Sequence, residues 1–309
     1  IIQQVAESDR IEGNHQWQDN INKIKNASSY NSSGMVNTED VEFISIWLRA
    51  KYAETLREGK RGAKDEDYEL LGDKFHTWVR DHAKVKMGLQ KSKDFKDFVM
   101  TEMTKMTDLY LRLKNYGSKL TPGYEEVFYN ANRDLTYQIM LVLAAVKNDD
   151  SGDVVEKKIQ MTAKFVDDFA SIRIFNFRKV NWNTNKYLLF RVMSDVRNQD
   201  CKTVGMVYVR ALRRMDANLD GITKFGLNQF SGRYMLHLLA YANVLMGNPS
   251  HFDEYVDRKR QGNTYDIEHI LPDKYEDYTE EFADYDDFQT SRQYMGNLIL
   301  LTRDKNRSY

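Results

Sequence analysis

Apolar residues recur along this chain with two different periods. From Ile2 to Met246 they return at helical spacing, whereas from Tyr265 onward they come in short runs between turn residues, as strands do. The first helix is expected over Ile2–Ile24, before the polar tract Asn26 to Asn37. Thr38 should cap a second helix, with Glu39 and Asp40 near its positive end. Further helices are expected over Tyr68–Met87 and over Phe95–Tyr116, the latter stopped by Gly117. Thr121-Pro122 should open another, reaching Val146 and carrying the apolar block Ile139–Val146. Val154–Phe177, Lys186–Val196, Val204–Met215, Phe230–Met246 and a short Phe252–Lys259 complete the array. Glu58–Asp67 and Asn148–Asp153 read as solvated loops, and no repeat of fixed period occurs. The expected class is mainly α: a multi-helix bundle over residues 1–248, followed by a small strand-containing domain over 249–309.

Composition narrows this picture. Lys+Arg 45 against Asp+Glu 46 leaves a net charge of -1, so a nucleic-acid partner would need cations gathered on one face. Cys201 is the only cysteine, which excludes an internal disulfide and a cysteine-built zinc site and suits the cytoplasm. No apolar run has the length of a membrane span. The opening IIQQ lacks an initiator Met and reads as entry into mid-helix, so a fragment of a longer protein is expected.

Most candidate sites reduce to ordinary structure. Asp216-Ala-Asn218-Leu-Asp220-Gly221 copies the start of a calcium loop, but Leu227 stands where a bidentate carboxylate is required. His76 and His82 are six apart, on different sides of a helix, and His15, His237 and His251 have no companion at ligand spacing. The aromatic stripe Phe165, Phe169, Phe175 and Phe177 reads as core. Basic clusters occur at Lys60-Arg61-Lys64, Lys84-Lys86, Arg173-Arg178-Lys179, Arg210-Arg213-Arg214 and Arg258-Lys259-Arg260. The last two are the better phosphate contacts, so Arg213, Arg214, Arg258 and Arg260, with Arg303 and Arg307 beside the terminal motif, are the expected DNA-binding residues.

The stretch from Tyr265 to Asn306 is different in kind. Hydrolysing a phosphodiester takes a base for the water, a cation for the developing charge, and a means of holding the base still. His269 can serve as base near neutral pH. Glu268 and Asn306 offer hard oxygen ligands for Mg²⁺ or Mn²⁺, and Asn297 suits pinning the loop that carries His269. Asp266 remains a rival to Glu268, because Glu268 and His269 point to opposite faces of a strand unless it breaks early, as Pro272 would allow.

The pattern IEHILP, a variable insert, then GNLILLTRDKN resembles the HNH (ββα-metal) endonuclease fold. It looks most like the variant at the C-terminus of GmrSD-type modification-dependent restriction proteins, where an EHIxP segment precedes a GNLxLL segment. NLILLTRDKNR is also similar to the second strand and helix start of the HNH domain in RNA-guided CRISPR nucleases. The resemblance implies His269 as general base, Asn297 as the central asparagine, and Glu268 and Asn306 as near and far ligands of Mg²⁺ or Mn²⁺. It implies DNA, base-modified DNA included, as substrate in restriction and anti-phage defence. It also implies an N-terminal nucleotide-using domain or subunit outside this chain. The helical array resembles the middle region of those proteins, and the DGQQR motif tied to nucleotide use does not occur here.

Two departures accompany the resemblance: Glu268 stands where many HNH sites have Asp or His, and the chain stops three residues after Asn306, so the ββα-metal domain is expected to be incomplete. The insert Asp273–Asp287, with eight acidic residues and one lysine, either points away from DNA, caps the site, or is a disordered acidic loop. Two alternative readings stand beside the nuclease one: a non-catalytic helical scaffold, with an HNH remnant that binds DNA or a partner, and helices that themselves recognise DNA, Arg213 and Arg214 included, while the nuclease domain only cuts.

Overall fold

The computed structural model describes residues 1–27, 38–215, 219–247, 254–256 and 265–306. Two compact units divide the chain: Ile1–Ala131, Leu135–Val166 and Trp182–Met215 form the first, and Asn132–Asp134, Asp167–Asn181 and Asp216–Tyr309 the second. Among the described residues the architecture is mainly α-helical with one small sheet, as the hydrophobic periodicity implies. Among the described residues no helix is long and apolar enough to cross a membrane.

The first unit contains α1 (Arg10–Ala27), α2 (Glu39–Tyr52), α3 (Asp67–Asp73), α4 (Phe75–His82), α5 (Ser92–Asp97), α6 (Thr104–Ser118), α7 (Glu125–Asn132) and α8 (Tyr137–Ala145). Most of α9 (Gly152–Phe175), α10 (Trp182–Val196) and α11 (Cys201–Arg213) complete it. The expected Ile2–Ile24 helix starts only at Arg10, after two 3-10 turns, Ile2–Gln4 and Glu7–Asp9, parted by Val5 and Ala6. Three further expected helices are broken. Tyr68–Met87 divides at Lys74 into α3 and α4; ahead of the break, the Arg49 guanidinium donates to the Tyr68 carbonyl and lies against Gly72, where a Cβ would meet it at 1.8 Å. Phe95–Tyr116 contains a π-helical turn, Phe98–Met103, between α5 and α6. Gly117 does not end α6, which runs on to Ser118; the missing side chain instead lets Ala131 approach, since a Cβ would stand 2.9 Å from the Ala131 methyl.

The third break corrects the reading of Thr121-Pro122. Tyr124 N donates to Thr121 O at 3.0 Å, and Gly123 has φ +83°, so Pro122-Gly123 forms the middle of a tight turn and the helix starts at Glu125. Proline supplies the first turn dihedral and glycine the positive second one. Asp134, also left-handed at φ +59°, lies between α7 and α8.

The isolated α8, YQIMLVLAA, has every residue but Ile139 buried, and this determines much around it. Its last carbonyls have no helical partner and no water, so donors must come from elsewhere. Asn198 N reaches Ala144 O at 3.0 Å, Lys158 Nζ reaches Ala145 O at 2.9 Å, and Lys51 Nζ donates to Val146 O. Lys158, wholly buried, also pairs with Asp150 at 2.5 Å, and Lys51 donates to Asn198 Oδ1 at 2.9 Å. Arg197 does the same for α2, donating to Ala50 O and Ala53 O at 2.8 Å each.

The second unit contains α12 (Gly232–Leu245), β1 (Tyr265–His269), α13 (Tyr285–Gln293), β2 (Leu298–Thr302) and α14 (Arg303–Asn306). The strands form a two-stranded antiparallel sheet, with α12 and α14 packed on both. Such a hairpin needs that cover to be stable in water. Phe225, fully buried, meets the rings of Phe175 and Phe177, and Phe230 packs at a tilt against Phe177 and Tyr234.

Burial pulls the Lys51 ammonium down from 10.5 to about 8. A depressed lysine favours the folded state more as pH rises from the folded value toward the unfolded one. Lys51→Met is expected to cost about 1–3 kcal/mol at pH 7, since two acceptors lose their donor. It should also flatten the gain in stability between pH 8 and 10, read from urea melts across that range.

Candidate functional site

The register of the hairpin positions the terminal motif. Tyr265 faces Thr302, Ile267 faces Leu300 and His269 faces Leu298; Asp266 and Glu268 alternate with them, opposite Leu301 and Ile299. Facing residues share a side of the sheet, so His269 stands with buried Leu298 and Leu300, while Glu268 stands with exposed Ile299. The strand does not break before His269. Glu268 and His269 therefore point to opposite faces, and the chain bends only at Ile270 and Leu271, ahead of Pro272.

Asn297 ties three pieces of backbone together beside the histidine. Its Nδ2 donates to Ser291 O at the end of α13 at 2.7 Å, and its N donates to Tyr294 O at 2.8 Å. Its carbonyl accepts from Ile270 N, the amide next to His269, at 2.9 Å. His269 Nε2 lies 3.4 Å from Gln293 Oε1, a long contact that places the Gln293 side chain beside the imidazole.

Arg292 holds the corner after the strand. Largely buried, it donates through Nε to Leu271 O at 3.0 Å and through Nη1 to Gln289 Oε1 at 3.0 Å, and it pairs with Asp273 at 2.8 Å. Gln289 Nε2 closes the ring with a 2.8 Å bond to Asp273. The acidic insert is packed rather than loose: Tyr275, Tyr278 and Phe282 surround Phe288, which is fully buried. All eight of its carboxylates are exposed.

A segment far upstream also reaches this site. Leu227 N donates to Gln293 O at 2.7 Å, Met295 N donates to Phe225 O at 2.9 Å, and Gly226 bridges to Tyr294. A Cβ on Gly226 would stand 2.8 Å from Gln293 O, so the approach requires glycine. Asn228 Oδ1 then accepts from Phe230 N and Ser231 N, turning the chain into α12. Sequence reading missed Arg292, Gln293 and Phe225–Leu227. The signal available was the short run Phe225-Gly226-Leu227 ahead of the capping residue Asn228.

The remaining expected residues are dispersed. Asp266 is engaged by Arg303, Nε to Oδ1 3.6 Å, whereas the half-exposed Glu268 carboxylate makes no hydrogen bond or ion pair among the described residues. Asn306 ends α14 and is half-buried. Arg213 and Arg214 are exposed at the end of α11 in the first unit, and Arg258, Arg260 and Arg307 lie outside the described residues. Among the described residues no three His, Cys, Asp or Glu side chains converge as metal ligands. Glu268 and Asn306 nevertheless offer the donor chemistry of Mg²⁺ or Mn²⁺ sites, which use one or two carboxylates and leave other positions to water and phosphate.

Removing the clasp should loosen the backbone beside His269. Asn297→Ala is expected to cost about 1 kcal/mol and Arg292→Ala about 1–3 kcal/mol of local stability. Hydrogen exchange at the Ile270 amide should speed up in both, with exchange in α2 and α8 unchanged.

Comparison with known families matches residues 223–309 to GmrSD restriction endonucleases, C-terminal domain. No curated protein and no solved structure matches the chain. The match begins just before Phe225, where the chain first bonds to the segment around Gln293. It carries a restriction-endonuclease role with DNA as substrate. Residues 223–309 are thus a C-terminal domain of the GmrSD restriction-endonuclease type.

Proposed function

We propose that the second unit is an HNH-type endonuclease domain that hydrolyses DNA phosphodiesters with a divalent cation. The observation that carries the reading is the Asn297 carbonyl on the Ile270 amide, with His269 as the last residue of β1. It holds the strand end still where a base must wait for a proton. His269 accepts a proton from water, and the Gln293 side chain stands beside the ring to orient it. Asn297 is a positioning residue.

Glu268 and Asn306 would hold Mg²⁺ or Mn²⁺, and Asp266 is the weaker candidate because Arg303 already engages it. The cation, when bound, supplies charge neutralisation at the phosphate and leaving oxygen. Glu268 lies across the sheet from His269, so the ligand and base roles belong to groups reaching the phosphate from two sides of the strand end. Arg303 and Arg307 would contact DNA near this site. The biological setting proposed is anti-phage restriction of base-modified DNA in the cytoplasm, alongside a nucleotide-using domain or subunit outside this chain.

In the full-length protein with Mg²⁺ or Mn²⁺, His269→Ala is expected to slow plasmid cleavage by about 100- to 10,000-fold with the thermal melt unchanged. Glu268→Ala should abolish the metal-dependent gain in melting temperature, and Asp266→Ala should keep it. Cleavage surviving in the His269 variant removes the base assignment, and loss of the gain in the Asp266 variant alone moves the ligand to Asp266. No cleavage and no metal-dependent gain in the unaltered protein would favour the non-catalytic scaffold.

A further inference from the structure

The helical unit carries cations that neither the fold nor the HNH reading uses. A groove of about 270 Å³ runs between α10 and α11, floored by buried Val192, Val207 and Ala211. Its rim carries Arg191 from one helix and Arg210 and Arg214 from the other. All three are exposed and make no ion pair among the described residues, and Asp195 is the single carboxylate in the groove.

A second groove, of about 440 Å³, adjoins it. The loop after α2 lines it with Arg57, Lys60 and Arg61, and α10 adds Lys186. Arg57 and Lys60 are met by Asp65 and Glu58, in exposed pairs that solvent makes weak. Arg61 has no ion pair among the described residues, and Lys186 makes only a contact over the Tyr187 ring, 5.1 Å from its centroid. Tyr187 joins the two grooves: it lines the first, its hydroxyl donates to Arg57 O at 3.4 Å, and the residue is 53% exposed. Gly59 makes room for it, since a Cβ there would stand 2.9 Å from the Tyr187 oxygen.

We propose that the two grooves form one track for the phosphate backbone of DNA on the helical unit. The chain as a whole has a net charge of -1, so a concave strip with seven cations against three carboxylates, Asp65 included, is a segregation of charge. Arginine forks suit phosphate oxygens, and a joined pair of grooves suits a ligand whose charges repeat along a line. An amphipathic acidic peptide could use the apolar floor of the first groove, but that floor does not extend into the second. Arg214 belongs to this track together with Arg191, which no sequence cluster contains. The proposal rests on the endonuclease reading only in taking DNA as the ligand.

The test is binding of a fluorescent 30-base-pair duplex to the full-length His269→Ala protein in EDTA, where cleavage plays no part. Arg191→Gln/Arg210→Gln/Arg214→Gln should weaken binding at least tenfold. It should also reduce the slope of log affinity against log salt by about 3, at about 0.9 per lost contact. The corresponding triple Arg→Lys variant should restore most of the slope, which a folding defect would not allow. An unchanged slope in the glutamine variant overturns the track, as does tight binding of a poly-glutamate peptide where the duplex does not bind. No cleavage by the unaltered protein with Mg²⁺ or Mn²⁺, with the track's salt slope intact, would instead count against the nuclease assignment alone.

Discussion

Three carbonyls in a row constrain the helical unit. A helix as apolar as α8 is stable only when buried, and burial removes the water that would otherwise satisfy Ala144, Ala145 and Val146. The donors come from three places far apart in sequence: Lys51 at the end of α2, Lys158 inside α9, and the left-handed Asn198 after α10. Each brings its own helix into register with α8. At Ala145 and Val146 charge is a consequence of packing, because long cationic side chains reach those oxygens from neighbouring helices.

The same logic explains what could be read from the chain and what could not. Helix existence followed from period, because each stripe reports locally which face is buried. Breaks did not, because they depend on contacts: Gly117 has the composition of a stop and the job of an inter-helix contact with Ala131. Thr121-Pro122 satisfies a capping rule and a turn rule equally well, and Gly123 decides between them. Lys51 and Lys158 look like solvated lysines, since nothing local marks the carbonyls waiting for them. Near the site, the terminal motif located both strands and the alternation of Glu268 with His269. Arg292 and the Phe225–Leu227 segment escaped because their significance lies in backbone partners many residues away.

At the strand end, every contact that steadies His269 is made by backbone or by a side chain of unremarkable type. Gln293 offers its side chain to the imidazole and its carbonyl to Leu227. Asn297 uses its amide, its N–H and its carbonyl in three directions. This makes the position of the histidine a property of the whole turn. The GmrSD-type C-terminal match begins where that network begins, upstream of α12.

The ring formed by Arg292, Gln289 and Asp273 has a further effect on the variable insert. Because it closes the loop at its base, the chain between Asp273 and Gln289 behaves as a self-contained lobe with its own aromatic centre at Phe288. Lengthening such a lobe costs only about 0.6 kcal/mol for each doubling of its length. The lobe is therefore a place where residues can be added or removed while the strand end keeps its geometry.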